Sequence, residues 1–100
     1  MQKAAKQIWA VSRLPEMVVE EFGGLEYAYI PLGKYVVAAR GVCGGRPTIK
    51  YTRLDARHVI GMLNAGESPE RIARNHKIST AAITEAMELS GIYDYELRYA

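Results

Sequence analysis

Nine basic side chains lie between residues 34 and 77 against three acids, a local charge of +6 in a chain whose net charge is +2. Arg46, Lys50 and Arg53 form one run. Arg71, Arg74 and Lys77 form another, directly ahead of Thr80, Ala81 and Thr84. Cationic side chains in such runs hold phosphate oxygens in a sequence-blind, salt-sensitive way. Hydroxyl and methyl groups placed after them hydrogen-bond base edges or touch a thymine methyl. The expected DNA-contacting set is therefore Arg46, Lys50, Arg53, Arg71, Arg74, Lys77, Thr80, Ala81 and Thr84. Residues 1–33 carry −1 and residues 78–100 carry −3, so the middle of the chain is the part suited to a polyanion or to an acidic protein cleft. Glu85 and Glu88 follow Thr84 with no basic residue beside them, which keeps the expected sequence discrimination modest.

Catalytic chemistry finds no comparable set. His58 and His76 are eighteen residues apart with no second ligand at helical spacing, so no zinc site is expected. Cys43, the single cysteine, excludes a disulfide framework and reads as a small packing residue rather than a nucleophile. Gly41-Val-Cys-Gly44-Gly45-Arg-Pro47 lacks the Lys-Ser/Thr of a phosphate loop and opens no helix, so it reads as a tight turn with positive φ. The acids Glu20, Glu21, Glu85 and Glu88 read as solvated surface. No active site, metal or cofactor is expected, and the protein is not read as an enzyme.

The elements that would position the basic runs are helices. Ser68-Pro69 is a helix start, with a capping hydroxyl and a proline where no hydrogen bond is lost. Ile72 and Ala73 face inward over two turns. Ser79 caps the next helix, and Ile78 and Ile83 have the five-residue separation of a hydrophobic staple. Two short helices joined by a few residues describe a helix-turn-helix. Ahead of it, Asp55 caps a helix with Val59, Ile60 and Leu63 on its apolar face, ended by Asn64-Ala65-Gly66.

Upstream the period changes. Residues 2–13 fit a helix interrupted by Pro15, and Met17 to Phe22 fit a further helical turn stopped by Gly23-Gly24. Leu25, Tyr27 and Tyr29 alternate as a strand, Pro31–Lys34 turns, and Tyr35–Ala39 is a second strand, giving a β-hairpin. At the other end Tyr93, Tyr95, Leu97 and Tyr99 alternate with Asp94, Glu96 and Arg98, which fits a strand, a frayed tail or a continued helix. As a strand, this tail would offer Tyr93, Tyr95, Leu97, Tyr99 and Arg98 to a partner by strand addition. The expected fold class is mainly α with a small β part: a trihelical helix-turn-helix preceded by a β-hairpin and a short N-terminal helix. The units expected are 1–24 (helical extension), 25–49 (hairpin and glycine turn), 50–90 (trihelical unit) and 91–100 (tail). The run Ile8–Val11 is too short for a signal or a membrane span, so a cytoplasmic protein is expected.

The register Gly44-Gly45-Arg46-Pro47-Thr48-Ile49-Lys50-Tyr51-Thr52-Arg53, then a helix, then Gly66-Glu67-Ser68-Pro69-Glu70-Arg71-Ile72-Ala73, resembles a family of small prokaryotic proteins. These carry a Gly-Gly-x-Pro-x-Ile-x-Gly-Thr-Arg motif and are grouped with VapB-type antitoxins. Arg46, Thr52 and Arg53 match the motif, whereas Tyr51 stands where the family usually has glycine. The resemblance covers roughly residues 35–90. It implies a homeodomain-like fold, dimers, and an operon partner that is a PIN-like nuclease toxin. Three functions follow as expectations. One is operator DNA binding. Another is neutralisation of the nuclease, with Arg46, Arg53, Arg57 or Arg98 pairing to its carboxylates and the tyrosine-rich tail as the anchor. The last is a homodimeric interaction module with Tyr27, Tyr29 and Tyr35 in an intersubunit sheet and no DNA binding.

Overall fold

The computed structural model describes residues 15–100. The helix expected over residues 2–13 lies outside the described residues. Val18–Phe22 forms a strand, β1, which turns at Gly23-Gly24 into β2, Leu25–Pro31. Both glycines have positive φ, 62° and 80°, as a two-residue hairpin turn requires of its central pair. The helical turn expected over Met17–Phe22 is thus corrected. The glycine pair is not a helix stop but the tip of a hairpin, and the residues before it pair with β2 along their whole length.

β2 pairs antiparallel with β3, Val36–Ala39, and β3 with β4, Pro47–Ile49, giving one sheet in the order β1-β2-β3-β4. Three helices follow: α1 Ala56–Asn64, α2 Pro69–His76 and α3 Thr80–Leu89. Each begins at a side-chain cap. The Asp55 carboxylate accepts from the Arg57 amide, the Ser68 hydroxyl from Arg71 at 3.1 Å and the Ser79 hydroxyl from Ala82 at 3.2 Å. Lys77, left-handed at φ 57°, ends α2.

The expected fold class is corrected as a whole. The chain is a four-stranded antiparallel sheet followed by three helices, not a trihelical helix-turn-helix standing behind a hairpin and an N-terminal helix. The reason lies in core volume. α2 buries only Ile72 and Ala73, and α1 only Ala56 and Val59. Three short helices with so few large inward side chains cannot close a core among themselves. They share one with Val36, Ala38 and Ile49 of the sheet. β3 is buried on both faces: Val36 and Ala38 meet the helices, while Val37 and Ala39 join Tyr29 in a second cluster bordered by Tyr27 and Val42.

The tail is neither strand nor frayed end nor a continuation of α3. It folds in turns over the helix–sheet core and buries Tyr95 and Tyr99 there. The Tyr95 hydroxyl donates to the Ala86 carbonyl of α3. The Tyr99 oxygen accepts from the Asp94 amide at 3.1 Å, and the Tyr99 amide donates to the Gly45 carbonyl at 2.8 Å. A Cβ on Gly45 would stand 2.8 Å from the Ala100 carbonyl oxygen. The glycine turn is therefore shaped around the chain's own tail.

Candidate functional site

Arg71, Arg74 and Lys77 are exposed, and so are Thr80, Ala81 and Thr84 at the start of α3. The burial of Ile72 and Ala73 turns Arg71 and Arg74, three residues apart, outward on one side of α2. Among the described residues none of these three cations makes an ion pair. The Thr84 hydroxyl donates to the Thr80 carbonyl at 3.2 Å, which leaves its oxygen as an acceptor toward solvent.

Glu85, expected on a solvated helix face, points at the sheet instead. Its Oε1 accepts from the Lys34 amide at 2.9 Å, and its Oε2 accepts from Tyr35 at 2.6 Å and Val36 at 2.8 Å. An acid that counts against phosphate binding in the linear sequence is thus withdrawn from the exposed face. Glu88 remains exposed.

The other basic run is divided. Arg46 Nε lies 3.4 Å from Asp55, which also pairs with Arg57 at 3.1 Å, and Arg57 reaches Glu96 at 2.8 Å. Lys50 Nζ lies 3.7 Å from Glu20 and stands over the rings of Tyr29 at 4.6 Å and Tyr51 at 4.8 Å. Both charges are compensated within the chain. Arg53 is exposed and lines a surface groove with Arg40, Phe22, Leu25, Tyr27 and Tyr51.

Glu20, read as a surface acid, is the hub of a cluster absent from the expected sites. It accepts from the Tyr51 hydroxyl at 2.6 Å and the Tyr29 hydroxyl at 2.7 Å. These two bonds, followed by the Lys50 charge, hold its carboxyl below the usual range. The bond to Glu20 in turn raises the Tyr51 phenol, and burial raises Tyr27. Phe22 and Tyr51 stack at 4.5 Å, and the Tyr51 amide donates to the Tyr27 hydroxyl at 2.9 Å. Tyr51 has φ 66°, a conformation glycine adopts without strain. A tyrosine held there is a backbone departure with a physical signature. Seven tyrosines against one phenylalanine are the one signal in the sequence that points to this cluster.

Of the tail residues expected to meet a partner, Tyr95 and Tyr99 are buried, Tyr93 and Leu97 are half-buried against the same core, and Arg98 is exposed. Of the tyrosines expected in an intersubunit sheet, Tyr29 is buried and bonded to Glu20, Tyr27 is bonded to Tyr51, and Tyr35 packs on the main core. The Cys43 thiol donates to the Arg53 carbonyl at 3.3 Å. Among the described residues no cluster of histidine, cysteine or carboxylate side chains could hold a metal ion, and no helix is long and apolar enough to cross a membrane.

The model of one protein family, described as protein of unknown function DUF433, matches residues 36–89. The chain belongs to this family. The matched segment runs from the first residue of β3 to the last of α3, so the DUF433 portion holds the glycine turn, the capped helices and every exposed cation of α2. The β1–β2 hairpin and the tail lie outside it. No curated protein and no solved structure matches the chain.

Proposed function

We propose that this protein is a DNA-binding regulator of the antitoxin kind. Arg71, Arg74 and Lys77 hold phosphates of a DNA duplex, and Thr80, Ala81 and Thr84 lie against base edges. The observation that carries this is the exposed, uncompensated cation set on α2, set directly ahead of the exposed start of α3. The inward turn of Glu85 supports it by removing an acid from that face. Arg46 and Lys50 drop out of the contact set because each has a carboxylate partner in the chain. The antitoxin part of the proposal rests on the resemblance carried by the Gly44–Arg53 and Gly66–Ala73 motifs. Its test is a mobility shift on the DNA upstream of the protein's own gene at about 50 mM salt, where phosphate contacts are strongest. A shifted band that is lost in the Arg71→Ala/Arg74→Ala variant is the expected result, and no shift at that salt overturns the proposal.

A second reading has its own observation. Val19 is 60% exposed and Leu25 74% exposed on the β1–β2 hairpin, with β1 at the sheet edge. This favours a protein partner, either the nuclease toxin or a second copy, docking at the hairpin rather than at the tail. Pull-down of the product of the adjacent gene by the wild type but not by Leu25→Ser would support it, and equal capture by both would refute it.

A further inference from the structure

The aromatic groove beside Tyr51 lies apart from the α2–α3 cations, and the function proposed above makes no use of it. It has a volume of about 390 Å³ and is lined by Phe22, Tyr27, Tyr51, Arg40 and Arg53 among others. We propose that this groove binds single-stranded nucleic acid, with a base stacking on the Phe22–Tyr51 platform and Arg40 and Arg53 taking the adjoining phosphates.

Several independent observations carry the proposal. Phe22 and Tyr51 stack at 4.5 Å with their planes 24° apart, yet they remain 48% and 42% exposed. Tyr27 is tilted against both, at 5.9 Å from Phe22 and 5.3 Å from Tyr51. Two stacked aromatic residues each nearly half exposed, with Lys50 over the Tyr51 ring at 4.8 Å, offer a platform for a further flat ring, and base–aromatic stacking tolerates any sequence. The backbone strengthens the point. Tyr51 sits at φ 66°, where a bulky side chain is strained and glycine is not. The Tyr51 amide would keep its bond to the Tyr27 hydroxyl whatever the side chain, so what the strained position adds is the side chain itself, with its stack on Phe22 and its bond to Glu20.

Charge completes the match. Arg40 and Arg53 form no ion pair among the described residues, although Arg40 touches the Met17 sulfur at 3.2 Å. Glu26 is the acid that lines the groove, and Lys50 nearby is already paired with Glu20. The groove therefore offers aromatic surface flanked by excess positive charge. A duplex, whose bases are stacked on one another, cannot use the rings, whereas a single strand can.

The test is fluorescence anisotropy of labelled oligothymidylate and oligoadenylate against the full-length protein. The variants are Tyr51→Gly, Tyr51→Phe, Phe22→Ser, Arg40→Ala/Arg53→Ala and Arg71→Ala/Arg74→Ala. Tyr51→Gly should weaken binding about tenfold or more, the scale of one lost stacking contact; glycine relaxes the φ angle but also gives up the bond to Glu20, a loss that Tyr51→Phe reproduces on its own. Tyr51→Phe keeps the ring, loses only the bond to Glu20, and should bind as the wild type does. Phe22→Ser leaves the turn untouched and should weaken binding even if Tyr51→Gly does not fold. The double arginine variant should weaken binding and flatten its salt dependence. The α2 variant should leave single-strand binding unchanged, so failure here and failure of duplex binding are read separately. The proposal is overturned by no single-strand binding at about 50 mM salt, by wild-type affinity in both Tyr51→Gly and Phe22→Ser, or by loss of binding in the α2 variant alone.

Discussion

Replacing Glu85 with alanine should destabilise the fold more than any other single surface-helix substitution in α3. The carboxylate accepts three backbone amides in a row, from Lys34, Tyr35 and Val36. Water can replace it at Lys34, which is exposed, but Val36 is fully buried and Tyr35 half-buried. Hydrogen bonds to a charged group contribute about 1.5–3 kcal/mol each, and an orphaned buried donor loses a similar amount. Counting only the two sheltered amides and allowing for the freed side chain, the loss is about 3 kcal/mol, a large share of the ~5–15 kcal/mol typical of a domain. For a chain of this size that lowers the unfolding midpoint by about 12–24 °C. Gly33 supplies a check on the geometry, because a Cβ there would lie 2.7 Å from the Glu85 carboxyl carbon. Gly33→Ala should be destabilising in the wild type and less so beside Glu85→Ala, where only the contact with the end of the Leu89 side chain at 2.8 Å remains, a non-additivity expected of groups in contact. Urea unfolding followed by circular dichroism gives both values. A loss below about 1 kcal/mol for Glu85→Ala, with an unchanged denaturant slope, would refute the view that this carboxylate clamps α3 to the sheet.

Further outcomes follow from the other contacts. The Glu20 carboxyl is held below its ordinary value by the Tyr51 and Tyr29 hydroxyls and then by Lys50. Its contribution to anchoring β1 is therefore complete above the ordinary carboxylate value of 4.5 and drains away as pH falls toward the lowered one. Protection of the β1 and β2 amides against hydrogen exchange, measured relative to the intrinsic rate at each pH, should fall on acidification in the wild type, and in Glu20→Gln it should be low already at neutral pH. Burial raises the phenols of Tyr93, Tyr95 and Tyr99 above their ordinary value of 10. Stability should then be full below that pH and fall above it, with tyrosinate absorbance from these side chains appearing together with unfolding; their normal titration in the folded state would contradict the packed tail. Gly45→Ala should weaken docking of the tail, since the added Cβ would meet the Ala100 oxygen at 2.8 Å in a backbone already at φ 83°. Faster proteolysis of the last ten residues would report it, and wild-type resistance would argue against the contact.

The helices were legible in the sequence because their starts are local chemistry. Asp55, Ser68-Pro69 and Ser79 cap three helices, each through a bond made within three residues. The sheet was half legible. Leu25–Tyr29 alternates, but Val18-Val-Glu-Glu-Phe22 does not, and its strand pairing depends on a glycine pair that equally fits a helix end. The tail misled because its period of two arises from turns that bury Tyr95 and Tyr99, not from an extended strand. The candidate DNA face was legible as a run of cations, but which cations are uncompensated was not, since Arg46 meets Asp55 and Lys50 meets Glu20 only in three dimensions. Glu20 lies thirty-one positions from Tyr51 and Glu85 forty-nine from Val36, and no local pattern announces either contact.

The most direct trial of duplex binding at α2 is its salt dependence. Affinity for the upstream duplex should fall with a log–log slope of about −3 for the wild type, matching phosphate contacts from Arg71, Arg74 and Lys77 at about 0.9 each. Removing Arg71 and Arg74 should bring the slope to about −1. A slope unchanged by that substitution, or steepest in its dependence on Arg46 and Lys50, would contradict the assignment of the DNA face to α2 and the start of α3.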